Sequence, residues 1–167
     1  LKKTGKAVKA NGVYPPADNI WLAAVLTGKP PEENGIVTGN DQDLKVPSLF
    51  AVADKLQKKA LLLQSGPKTL HTEAEPVLCS DQNANETADD ELYAMTLANL
   101  DKGYDLLMVR FHGIAANGER YGRAAAQTMD AVTAIDQYLE GVVNRWPGKV
   151  IVAAAAGIDS GVVQVKS

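Results

Sequence analysis

The sequence predicts an α/β fold of three layers, a mostly parallel sheet with helices on both faces. Three observations lead to it. Short, continuously apolar runs recur along the chain: "ALLLQSG" at 60–66, "DLLMVRFHG" at 105–113 and "PGKVIVAAAAG" at 147–157. They are too short for helices, and they lack the polar alternation of a strand with one wet face, so they fit strands buried on both sides. Segments with apolar residues every three or four positions separate them, which is the βα alternation of a parallel sheet.

Taken in order, "ADNIWLAAVLTG" places Ile20, Trp21, Ala24, Val25 and Leu26 near helical spacing. Asp18 or Asn19 can cap this helix and Gly28 can stop it. "KPPEENGIVTGNDQDLKVP" reads as loop from its Pro, Gly, Asn and Asp content, and Ser48 then opens a helix through "LFAVADKLQKK". After the first apolar strand, "EPVLCSD" is a second short strand, limited by Pro76. "ETADDELYAMTLANLDKG" is a helix with acids in its first turn, an apolar face of Leu92, Met95, Leu97 and Leu100, and Gly103 beyond its end. The strand at 105–113 follows. The longest helix then runs from about Tyr121 to Trp146, with Ala125, Met129, Val132, Ile135, Leu139, Val142 and Trp146 in series. The last apolar run closes the pattern as a strand.

No repeat, linker or second domain interrupts the chain, so residues 1–167 are expected to form one domain, long enough for a sizeable core. Seventeen basic residues face 20 acidic ones, for a net charge of -3, and no basic stripe with interleaved aromatics occurs. Nucleic acid is therefore not an expected partner. The lysine-rich "LKKTGKAVKA" reads as a solvated segment. No apolar run reaches the ~20 residues needed to span a bilayer, so no membrane is expected. Cys79 is the single cysteine and His71 and His112 are the only histidines, which leaves no cluster at zinc-ligand spacing. Cys79 is expected in or near the core, His71 in solvent, and His112 in an orienting or packing role. Ligands of parallel α/β sheets sit at the carboxyl ends of strands, which directs attention to Gln64–Gly66, Phe111–Gly118 and Ala153–Ser160.

Three of these segments together resemble the alkaline phosphatase superfamily, in particular its nucleotide pyrophosphatase/phosphodiesterase branch. "VLTGKPPEENGI" resembles the helix and loop after the family's nucleophile. "YDLLMVRFHGIAANGERYG" resembles the strand and loop carrying Asp-x-x-Gly-His, and "KVIVAAAAGIDS" resembles the strand ending in Thr-Ala-Asp-His-Gly. The resemblance covers Val13 to Ser160 and implies a two-metal phosphoester hydrolase scaffold. The residues that would carry its chemistry differ. The nucleophile position falls at Asp18, the Asp and His of the middle motif at Ala115 and Glu119, the Asp-His pair of the last strand at Ala155 and Ala156, and the following His at Asp159. The family's opening strand, with a further Asp ligand, has no counterpart ahead of Leu1.

Methyl groups cannot polarise a phosphoryl oxygen or activate a nucleophile, so the resemblance implies a truncated, non-catalytic domain kept for binding or assembly. It is expected to need no cofactor and to form a homo-oligomer or engage a protein partner. The alternative is a rebuilt hydrolase site in which Asp18, Glu119 and Asp159 hold Mg, Mn or Ca, hard cations that accept oxygen ligands; zinc is disfavoured. A Ser160–His112–Asp159 triad lacks a nucleophile elbow, and "TGKPP" lacks the glycines of a phosphate loop. The sequence names no compartment.

Overall fold

The computed structural model describes residues 9–154 and 164–166. The fold is α/β, with helices around an open sheet of three parallel strands. Two of the three apolar runs form its centre and one end: β2 (Ala60–Gln64) lies between β3 (Val77–Leu78) and β4 (Leu106–Arg110). Leu63 pairs with Val77 and Gln64 with Leu78 in parallel register. Beyond the ladder, Cys79 N donates to Gln64 O at 2.9 Å and Ser65 N to Arg110 O at 3.2 Å, so the chain segments leaving all three strands are tied together at their carboxyl ends. Among the described residues, no helix is long and apolar enough to cross a membrane.

The described chain falls into two compact units. The first comprises Leu61–Pro67 and Pro76–Val150 and holds nearly all of the three-stranded sheet with α4 (Asp89–Leu97), α5 (Gly113–Tyr121) and α6 (Ala126–Val143). On α4 the buried positions Leu92 and Thr96 and the following Leu100 lie four apart along one stripe, with Met95 and Leu97 half-buried beside them. α6 packs on α5 and α4, where the Tyr93 and Tyr138 rings stack with centroids 4.6 Å apart and Phe111 lies 6.0 Å from Tyr138.

Two expectations fail in this unit. The segment after β4 is helical from Gly113 onward rather than a loop, and the long helix expected from about Tyr121 to Trp146 begins only at Ala126 and ends at Val143. Gly122 separates α5 from α6: its φ of 93° and ψ of 152° belong to a region open essentially to glycine alone, and helix α6 starts only after Ala125. The third apolar run also departs, because Lys149–Ala154 forms no strand and Val150 and Ile151 are exposed. Strand propensity needs a neighbouring strand to pair with, and none is described beside it. The rest of that run, including Ala155, Ala156 and Gly157, lies outside the described residues.

The second unit comprises residues 9–60, 68–75, 151–154 and 164–166. Here β1 (Lys9–Asn11) pairs antiparallel with β5 (Gln164–Lys166), Lys9 opposite Lys166. α1 (Asp18–Thr27) packs on α2 (Pro31–Asn34) and α3 (Leu49–Lys55). The buried face of α1 is Asn19, Ile20, Leu22, Ala23 and Leu26, while Val25 is exposed. Neither Asp18 nor Asn19 caps it; Ala17 is the cap position. Asn19 is instead turned inward, its Nδ2 donating to Thr38 O and Asp41 O at 2.8 and 2.7 Å, and these bonds set the helix rotation. Gly28 ends α1 as expected, in the left-handed conformation. α2 is a single turn inside the expected loop, begun by Pro31 and closed by Gly35. Ser48 does open α3: its Oγ accepts from Phe50 N at 3.1 Å and donates to Glu73 Oε2.

Candidate functional site at the carboxyl ends of the parallel strands

The first unit has an open cleft of about 430 Å³ at the carboxyl ends of its strands. Ser65 follows β2, Cys79 and Ser80 follow β3, and His112 and Gly113 follow β4; Thr87 and Asp89 enter from the start of α4, and Ala116 and Arg120 from α5. This is where a parallel sheet delivers its variable side chains, because each strand ends there and each helix begins there.

Asp89 is the centre of the arrangement. It is only 4% exposed. Its Oδ1 accepts from Ser65 Oγ and from His112 N at 3.2 Å, and its Oδ2 accepts from Gly113 N at 3.0 Å. Ser65 Oγ in turn accepts from His112 N at 3.0 Å, and Thr87 Oγ1 accepts from Asp89 N at 3.2 Å. The carboxylate thus satisfies the first N–H of α5 and sits at the positive end of that helix. Gly113 is required for this approach: a Cβ there would press into the Asp89 carboxylate and lie 3.0 Å from Thr87 Oγ1.

The His112 ring lies over Gly66, where a Cβ would come 2.7 Å from His112 Cγ. Burial pushes the imidazole pKa below its ordinary value and the Arg110 charge adds to this, against the opposing pull of Glu119 and Asp89. The ring is therefore neutral at neutral pH. Burial, with the Glu91 carboxylate, pushes the Cys79 thiol up, and its Sγ lies 3.7 Å from Met95 Sδ. A protonated thiol beside a thioether is not a poised nucleophile. At the rim, Glu86 accepts from Tyr121 Oη at 2.7 Å and pairs with Arg120 at 3.1 Å. The Asp81 carboxylate accepts from the backbone of Asn83, Ala84 and Glu86, which fixes the loop between them.

Ala115 and Glu119 both lie on α5, four residues apart on one face of that helix. The α5 side chains lining the cleft are the next ones along, Ala116 and Arg120. Asp18 is the first residue of α1, in the second unit. Ala155, Ala156, Asp159 and Ser160 lie outside the described residues. Among the described residues no three His, Cys, Asp or Glu side chains are grouped to hold a metal ion. His71 is exposed in the second unit, its Nδ1 2.8 Å from Asp43 Oδ1. Sequence reasoning pointed to the ends of β2 and β4 but missed Ser65, Thr87 and Asp89 as a connected group. Asp89 reads in sequence only as one of three acids in a helix first turn, and nothing local distinguishes it from Asp90.

No protein-family model matches the chain, and no curated protein matches it.

Proposed function

We propose that the chain is a non-catalytic α/β domain on a phosphodiesterase-like scaffold that works as a binding and assembly module. The observation that carries this is the state of Asp89. At the sheet edge where a hydrolase of this architecture would keep a free base or metal-ligating carboxylate, the most buried acid among the described residues is held by donors from Ser65, His112 and Gly113. Freeing it would leave buried N–H and O–H groups unpaired, at about 1–3 kcal/mol each. The Ala116 methyl and the protonated Cys79 thiol beside it add no activating group. What the cleft offers is a fixed polar surface of a size suited to a small ligand.

The test is hydrolysis. With zinc, manganese or magnesium supplied, the protein is expected to cleave aryl phosphate mono- and diesters no faster than background. Metal-dependent turnover that disappears in Asp18→Ala or Glu119→Ala would overturn the reading in favour of a carboxylate-bound cation. Thermal melting with magnesium, manganese or calcium gives an independent readout, since an ion bound only by the native state raises the melting temperature with concentration.

A further inference from the structure

The loop from Ser80 to Glu86 borders the cleft of the first unit, and all of its residues are exposed. No buried apolar side chain anchors it, so polar bonds hold it instead. On one side it is tied to α4: Gln82 N donates to Glu91 Oε1 at 2.9 Å, and the side-chain amides of Asn83 and Asn85 donate to the two oxygens of Asp90 at 2.7 and 3.2 Å. Across the cleft it reaches α5 through Glu86, whose Oε2 accepts from Tyr121 Oη at 2.7 Å and from Arg120 at 3.1 Å.

The backbone of this loop is strained at the same place. Ala84 and Glu86 have φ of 60° and 70°, left-handed conformations that a residue with a side chain adopts at a cost. Such strain persists only where the surroundings hold it. Here the hold comes from the Asp81 carboxylate, which accepts from Ala84 N and Glu86 N at 2.7 and 2.9 Å, and from the bonds of the Glu86 side chain to α5. The second of these is weak, since the Glu86 and Arg120 side chains are 55% and 60% exposed and an ion pair so open to water contributes little.

We propose that the loop is a strap across the cleft and that Glu86 is its catch. While Glu86 holds Tyr121 and Arg120 the mouth is narrowed; when it lets go, the loop stays attached to α4, parts from α5 and widens the way in. The inference rests on the reading of the cleft as a binding surface and adds control of entry to it. Release is a small local opening, because it breaks exposed bonds and relaxes the left-handed backbone of Glu86 without disturbing a buried side chain.

Cys79 is a built-in reporter, being the single cysteine of the chain, half-buried, and one of the residues that line the cleft. Its alkylation by a dye-linked maleimide is expected to be roughly two- to fivefold faster in Tyr121→Phe and in Glu86→Gln than in wild type, the factor by which loss of an exposed bond raises an open population. Both replacements keep the size of the side chain, so neither enlarges the cleft by itself. Iodoacetamide is small enough to depend less on the strap and is expected to show a smaller acceleration. That comparison separates opening from a change in thiol acidity when the Glu86 charge is removed. Urea midpoints are expected to match the wild type, because the catch is at the surface. Unchanged maleimide rates in Tyr121→Phe, equal acceleration with both reagents, or an acceleration matched by an equal loss of global stability would each overturn the proposal. Metal-dependent hydrolysis, by contrast, would overturn the functional reading and leave the strap standing.

Discussion

Gly113 N donates to the buried Asp89 carboxylate at 3.0 Å, across a gap with no room for a side chain on Gly113. The start of α5 and the start of α4 are therefore locked by one acid and one absent methyl group. Asp89→Ala is expected to lower stability by about 2–6 kcal/mol, since it strands two donors, the Gly113 N–H and the Ser65 hydroxyl, at about 1–3 kcal/mol each. Gly113→Ala is expected to cost about 1–3 kcal/mol through overpacking. In the double variant the two costs are expected to fall short of their sum, because the carboxylate that the added methyl group would strike is gone. Urea denaturation of the four proteins measures this cycle; strict additivity would show that the two residues do not meet.

Gly122→Ala isolates backbone strain from packing. No atom lies within 4 Å of a Cβ built at Gly122, yet its φ of 93° is one that side chains rarely adopt. The expected loss is about 1–3 kcal/mol, read as a lower urea midpoint at unchanged slope. A neutral result would mean that the boundary between α5 and α6 does not depend on that conformation.

The depressed pKa of His112 gives stability a direction in pH. The unfolded imidazole takes up its proton near its ordinary value of 6.5, whereas the folded one does so only at lower pH. Above about pH 6.5 both states are neutral and the full stability is present; as pH falls below it, the unfolded state binds more protons and stability is lost. Replacing the ring by an uncharged side chain, His112→Gln, is expected to flatten this decline as the pH is lowered from about 6.5 to about 5. Equal pH slopes for wild type and variant in chemical denaturation would contradict the assignment.

Ser48→Ala is expected to destabilise the second unit by about 1 kcal/mol. The Ser48 hydroxyl accepts from Phe50 N and donates to Glu73, so alanine removes the cap of α3 and a partner of the carboxylate together. Ser48→Asp is expected to recover less than a normal cap replacement, because a second carboxylate would face Glu73. Thermal melting of both variants checks the order.

The class of the fold, the strands at β2 and β4, the cap at Ser48 and the stop at Gly28 were all determined by sequence alone. Each depends on local chemistry: an apolar run bounded by breakers, a hydroxyl before a helix, or a glycine able to turn left-handed. Periodicity fell short where a single residue or a distant partner took precedence. Gly122, outside the helical basin, held the start of the long helix back to Ala126, and Asn19 turned α1 to reach Thr38 and Asp41. The candidate site was decided almost wholly by tertiary structure. Sequence could direct attention to the ends of β2 and β4, since parallel sheets deliver ligands there, but it could not join Ser65, Asp89 and His112, which lie 24 and 23 residues apart along the chain. An acid in the first turn of a helix is ordinary helix chemistry. Only the crossing of three backbone segments at one sheet edge buries Asp89, fills its lone pairs and makes Gly113 indispensable, because hydrogen bonds between distant residues are fixed by how strands pair and not by what stands beside them in the chain.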